Sequence, residues 1–217
     1  MSDGFLDPLR PIKITRGGGL PHWHQDGTTA FVTFRAGDSV PAPLLARGVA
    51  LKRRWLARRG IDSGADGWRE RLTGLPERDR REYRERFSRA FLAMLDRGHG
   101  ACLLADPATA AIVAAALRHF DGDHYDLSDA VVMPNHVHAL VTPRPGHTLA
   151  SICESWKRFT ARRINAMHGR RGHYWQSESF DRLVRNPLDL ARHRRYIAEN
   201  PKKLRPGTYL LLLQASA

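Results

Sequence analysis

The sequence predicts an α+β chain, a mainly antiparallel sheet with helices on its faces and a helical insertion after the first strand. Short β-branched runs are bounded by Gly, Pro, Asn and Asp, longer segments carry three- and four-residue apolar spacing, and the two kinds alternate along the chain. Read in order they give strand, helical insertion, helix, strand, strand, helix, strand, helix.

Residues 27–35, GTTAFVTFR, are β-branched and aromatic and follow a Gly/Asp turn, so the first strand is expected there. Helical patterns run from Pro43 to about Arg59 and from about Pro76 to Arg97, separated by GIDSGADG. In the second of these, Tyr83, Phe87, Phe91, Met94 and Leu95 form an amphipathic face that core packing explains. Asp106-Pro107 is an N-cap followed by proline at the first helical position, opening an alanine-rich helix to about Phe120. YDLSDAVVMP and HVHALVTP then read as a hairpin turning at Pro134-Asn135. A helix from about Thr148 to His168 follows, then an extended or bent strand over HYWQSESFDRLVR. Asn186-Pro187 caps a last helix that stops at Asn200-Pro201, and the tail TYLLLLQ is apolar enough to pack onto the body. A length of 217 residues suits one domain spanning 1–217, with a first strand segment at 20–35, an insertion at 41–97, a core at 98–204 and a tail at 205–217.

Charge narrows the partners. The chain holds 35 Lys+Arg against 22 Asp+Glu, a net +13, and its pI near 10.7 lies in the range of nucleic-acid binders. Residues 151–217 alone hold fourteen Lys/Arg and five Asp/Glu, so +9 of that excess, mostly arginine suited to forked phosphate contacts. No stretch approaches the roughly 20 apolar residues of a membrane span. No apolar segment follows the N-terminal charges as a secretory signal requires, so no membrane partner and a cytoplasmic location are expected. Cys102 and Cys153 lack a CxxC spacing, and a disulfide framework is not expected.

The sharpest local feature is Pro134-Asn135-His136-Val137-His138-Ala139-Leu140-Val141. Alternate strand residues share a face, so His136, His138 and Leu140 point one way while Val137, Ala139 and Val141 point into the core. Such a pair either holds a metal ion or hydrogen-bonds on a polar sheet face. Several chemistries use His-x-His. A histidine-triad hydrolase wants a third His where Leu140 stands, a metallo-β-lactamase wants an Asp-His that Ala139–Thr142 do not offer, and a zinc deaminase wants a PCxxC that is missing.

MPNHVHALV, then SWKRFTARRIN, WQSESFDRLVR and RRYIAENP, resemble the REP-associated tyrosine transposases, which belong to the single-tyrosine HUH transposases. The likeness runs from about Leu20, with LPHWHQDGTTAFVTFR, to Leu204, interrupted mainly by 41–97. It implies a ferredoxin-like, HUH-type sheet, with His136 and His138 as metal ligands, Tyr196 as nucleophile and Asn200 as an amide ligand. On a helix, the four-residue step from Tyr196 to Asn200 puts both on one face. The resemblance also implies Mg2+ or Mn2+, although imidazole softness alone would favour Zn, Ni or Cu. Its members recognise palindromic repeats folded as hairpins in single-stranded DNA. The implied activity is endonuclease and strand transfer through a 5′-phosphotyrosine, which conserves the phosphodiester's free energy for rejoining. The alternative is a protein that binds such hairpins without cutting them.

For DNA contact, Lys157, Arg158, Arg162 and Arg163 lie on neighbouring turns of one helix, suited to hairpin-stem phosphates. Tyr174 and Trp175 sit in a basic stretch and are candidates to stack on bases. Arg192, Arg194 and Arg195 surround Tyr196 in sequence, and Arg192 and Arg195 are expected at DNA. His22, Trp23 and His24 form either a DNA contact or a polar edge. Both a monomer and a homodimer fit the sequence.

Overall fold

The computed structural model describes residues 4–17 and 20–214; residues 1–3, 18–19 and 215–217 and the side chains of 14–17, 20–22 (His22 among them) and 69 lie outside the described residues. The chain divides into two compact units, residues 1–37 with 101–217 and residues 38–100.

The first unit opens with a two-stranded hairpin, β1 (Lys13–Gly17) and β2 (Leu20–His24). The sequence predicts one strand segment over 20–35 rather than a hairpin followed by a separate strand, so β3 (Ala30–Arg35) is third in the chain although first in the main sheet. That sheet adds β4 (Tyr125–Val132), β5 (His136–Pro143), β6 (Phe180–Leu183) and β7 (Leu210–Leu212), with α5 (Pro107–His119) after β3 and α6 (Leu149–Met167) after β5. The α-helices between β3 and α5 belong to the other unit. Strand order is β6-β3-β5-β4-β7, with every neighbouring pair antiparallel. The run β3-α5-β4-β5-α6-β6 is therefore two interleaved split βαβ units, the ferredoxin-like arrangement. The expected α+β class and antiparallel sheet are observed. The apolar tail becomes the edge strand β7, and of the extended 173–185 segment only Phe180–Leu183 joins the sheet, with one further bridge from Trp175 to Ala36.

Local chemistry sets the element ends. The Asp106 carboxylate accepts the Thr109 amide at 2.9 Å, and Asn186 Oδ1 accepts that of Asp189 at 2.9 Å to start α7 (Pro187–Glu199). Thr148 and Ser151 form a reciprocal capping box at α6. In the β4–β5 hairpin, Met133 N–H donates to His136 O at 2.8 Å, closing a turn at Pro134-Asn135 as expected. Both turn carbonyls are used: Leu104 N–H donates to Pro134 O at 3.1 Å and Ala36 N–H to Asn135 O at 2.9 Å.

Both faces of the sheet are covered. On one, Ala30, Val32, Phe34, Val137, Ala139 and Val141 pack with α5 and α6 residues such as Val113, Leu117, Ile152 and Trp156. On the other, Phe31, Val131 and Leu140 pack against Ile197, Leu190 and Tyr196 of α7. Alternation along β3 and β5 assigns each residue to its side. The histidine side is therefore not an open polar face; it is roofed by α7.

The second unit is the helical segment: α1 (Ala42–Ala57), α2 (Trp68–Thr73), α3 (Glu77–Tyr83), a π-helical turn at Arg84–Arg89 and α4 (Ala90–Leu95). The second expected helix is thus interrupted by the wider turn, and α2 is an addition to the expected elements. Trp55, Leu56 and Ile61 form its core with Trp68, Leu72, Tyr83 and Phe87 around them. The Arg59 guanidinium lies 3.6 Å from the Trp55 ring centroid and pairs with Asp79 and Glu82, each at 2.9 Å. The ends of the unit meet at Gly100 (φ +91°), where a Cβ would stand 2.6 Å from Asp38 O, so only glycine fits.

Candidate active site

β5 sets His136 and His138 two residues apart on the α7 side, and β3 pairs with it so that Thr33 lies opposite His138 and Arg35 opposite His136. Both imidazoles, Asn135 between turn and strand, and Thr33 are buried. Groups buried this deeply need partners. Thr33 Oγ1 is 2.7 Å from His138 Nδ1, and Asn135 Oδ1 is 2.8 Å from His136 Nδ1. The two Nε2 atoms consequently turn toward each other, 3.0 Å apart. The Tyr196 hydroxyl from α7 comes within 3.5 Å of His138 Nε2, with the two rings edge to face at 5.1 Å.

Phe31 braces this group. Its ring stacks on His138 at 5.4 Å and on His193 at 4.4 Å and meets Tyr196 edge-on at 5.9 Å. Burial first, then the neighbouring His136 and His193, push His138 well below the usual imidazole range, so its ring is neutral near pH 7. Burial also lowers His193, against the opposing pull of Asp189. A neutral imidazole is the form that ligates a metal. Two nitrogens bound to one ion at about 2.1 Å each stand roughly 3.0–3.4 Å apart for right-angle to tetrahedral geometry, so the observed pair fits a shared cation.

Asn200 follows α7 in helical conformation, its N–H donating to Tyr196 O, so the two residues share one helix face. Its side-chain Nδ2 is buried and has no hydrogen-bond partner among the described residues. α7 is held to the sheet by Arg194, whose Nε donates to the buried Asp129 at 2.6 Å. Arg192 and Arg195 are exposed on the same helix. Arg35 has its guanidinium pushed down from the usual range by burial.

The other expected DNA residues lie on the far side of the sheet. A cleft of about 800 Å³ between α6 and residues 172–181 is lined by Lys157, Arg158, Arg162, Tyr174 and Trp175. Arg158, Arg162 and Arg163 are exposed, and Arg163 lies 5.7 Å from the exposed Phe159 ring. Two expectations are corrected here. Tyr174 and Trp175 are 4% and 6% exposed, so neither presents an open ring face for a base. Trp175 packs edge-on against Phe34 at 4.8 Å, and its Nε1 donates to Thr160 Oγ1 at 2.8 Å. Lys157 is half-buried, and its Nζ donates to the carbonyls of Gln176 and Ser177 at 3.2 and 2.7 Å, pinning the segment rather than projecting to solvent. Thr33, Asn135, Phe31, His193 and Arg35 are site residues that the sequence does not single out. Alternation from Phe31 to Arg35 marks their shared face, but only strand register joins it to the histidines.

Residues 108–200, from α5 through α7 to Asn200, match the family model described as "Transposase IS200 like". Over this stretch the chain is similar to the IS200-like transposases. The matched stretch contains His136, His138, Tyr196 and Asn200, and the match agrees with the resemblance to REP-associated tyrosine transposases carried by the chain's motifs. No curated protein matches the chain. Among solved structures, it is similar to a REP-associated tyrosine transposase bound to a REP hairpin, with 15% identity, TM-score 0.40, and coverage of 84% of this chain and 71% of that one. It is also similar to a Deinococcus radiodurans R1 protein described as a transposase, with 14% identity, TM-score 0.34, and coverage of 86% of this chain and 97% of that one. No helix among the described residues is long and apolar enough to cross a membrane.

Proposed function

We propose that this chain is a transposase-like, metal-dependent endonuclease and strand transferase for single-stranded DNA, acting at hairpin-forming palindromic repeats with Tyr196 as nucleophile. The observation that carries the reading is the convergence of the Tyr196 hydroxyl on His138 Nε2 at 3.5 Å, beside His136 Nε2 at 3.0 Å from the latter. His136 and His138 hold a divalent cation, Mg2+ or Mn2+ by family resemblance, and the Asn200 amide is the third candidate ligand. When bound, such a cation withdraws charge from a phosphate oxygen.

Tyr196 Oη attacks the scissile phosphorus, its proton leaves, the bond from phosphorus to the 3′-oxygen breaks, and that oxygen takes up a proton to become a free 3′-OH. The product is a 5′-phosphotyrosine, and attack by another 3′-OH reverses the step without ATP. An ordinary phenol is mostly protonated at neutral pH, so the cationic surroundings are needed to stabilise the developing phenolate. Exposed Arg158, Arg162 and Arg163 on α6, with Arg192 and Arg195 on α7, suit the phosphates of a hairpin.

Incubation with hairpin-bearing single-stranded DNA and Mn2+ or Mg2+ should give a denaturation-resistant protein–DNA adduct, absent in Tyr196→Phe and His136→Ala. Adduct persisting in Tyr196→Phe overturns the nucleophile. Tight hairpin binding without adduct under either metal identifies a non-cleaving hairpin-binding protein instead.

A further inference from the structure

Each imidazole at the site has one nitrogen facing the other ring and one facing a hydrogen-bonding partner, and the two partners differ in kind. Asn135 Oδ1 can only accept, so at 2.8 Å the His136 Nδ1 carries the proton and its Nε2 carries the lone pair. Thr33 Oγ1, 2.7 Å from His138 Nδ1, can donate or accept. Two proton arrangements therefore satisfy the same atoms. In one, the Thr33 hydroxyl donates to Nδ1, and the proton on His138 Nε2 points at His136 Nε2, 3.0 Å away. In the other, His138 Nδ1–H donates to Thr33 Oγ1, and both Nε2 lone pairs face one point. The ring stays neutral in both, with one proton bound, and they differ only in which nitrogen bears it.

We propose that Thr33 is a positioning residue for cation binding: its hydroxyl reverses from donor to acceptor and so lets buried His138 exchange tautomers, making the histidine pair a ligand without exposing an unpaired nitrogen. This rests on the metal-binding reading above. Asn135 holds His136 permanently in the ligand tautomer, and Thr33 makes His138 the member that changes. A site buried on both sides of its sheet has no bulk water to take over the Nδ1 hydrogen bond, so the side chain opposite in the strand register does so.

The test uses the full chain, Thr33→Val, which keeps the shape and loses the hydroxyl, and Thr33→Ser, which keeps the hydroxyl. In Mn2+ titrations by calorimetry, Thr33→Val should lose affinity by about 10-fold or more, and Thr33→Ser should restore most of it. In protein labelled with 15N-histidine, His138 of the wild type should carry its proton on Nε2 without cation and on Nδ1 with saturating Mg2+. A folded Thr33→Val chain that binds Mn2+ as tightly as wild type, or a His138 whose protonated nitrogen is the same with and without Mg2+, overturns the inference and leaves the proposed function standing. Absence of cation binding by the wild type overturns both. If Thr33→Val does not fold, the wild-type tautomer measurement and the Thr33→Ser affinity still decide.

Discussion

Asp129 carries the most quantitative prediction, because one carboxylate joins three elements around the tyrosine helix. It lies at a register shift in β4 and is 3% exposed, with Oδ2 accepting from Arg194 Nε at 2.6 Å and Oδ1 from Gln214 N–H at 2.8 Å. Arg194 stands two residues before Tyr196 on α7, and Gln214 follows the edge strand β7. Asp129→Ala removes both hydrogen bonds. A hydrogen bond to a charged group contributes about 1.5–3 kcal/mol. The Arg194 side chain is 39% exposed and can be rehydrated, so its share is discounted to about 1 kcal/mol or less. The Gln214 amide supplies the larger part, and the total is about 2–3 kcal/mol. For a chain of this size, each kcal/mol moves the melting temperature by about 2–4 °C, so Asp129→Ala should melt about 5–10 °C below wild type in scanning calorimetry. Asp129→Asn, which retains a neutral oxygen for Gln214 N–H, should lose about half as much. Adduct yield below the melting transition should fall as well, because α7 loses its anchor to β4. An Asp129→Ala chain melting within about 1 °C of wild type would refute the view that this carboxylate holds α7 to the sheet.

Trp175→Ala should destabilise the chain by about 3–5 kcal/mol, since a buried ring against Phe34 is removed and Thr160 loses its donor; an unchanged melting temperature with weakened DNA binding would restore the base-stacking role. Burial pushes the Cys153 thiol up to about 12, so at pH 8 it should resist iodoacetamide in the native chain and react in urea, whereas the part-exposed Cys102 should label natively; peptide mass spectrometry reads both. Arg162→Gln should flatten the slope of log affinity against log salt by about 0.7–0.9 for hairpin DNA, and an unchanged slope would place the phosphates elsewhere.

Much of the site is legible in the sequence because its parts are local. Alternation in Asn135–Val141 decides that His136 and His138 share a face, and the helix signals from Asn186-Pro187 to Asn200-Pro201 decide that Tyr196 and Asn200 share another. Caps at Asp106, Thr148 and Asn186 bound their helices for the same reason: each cap involves groups within three residues. The β1–β2 hairpin lacks a comparable local signal, and the extended stretch at 173–185 suggests a longer strand than the four residues that pair with β3.

Contacts distant in the chain leave no such local mark. Thr33 and His138 are 105 positions apart and meet only because β3 pairs with β5 in one register; a one-residue slip would turn the hydroxyl to the other face. The neighbourhood of Tyr174 and Trp175 is basic, yet both are buried, with the Trp175 ring against Phe34 and its Nε1 on Thr160 of α6, since position relative to the sheet outweighs sequence context. The sequence by itself determined the antiparallel α+β plan, the paired imidazoles and the tyrosine helix, all functions of local spacing. The tertiary structure alone decided that α7 roofs the histidine face, and that the expected DNA residues divide between the two sides of the sheet. Strand register and helix docking are set by burial summed over the whole core, which no short stretch of the chain encodes.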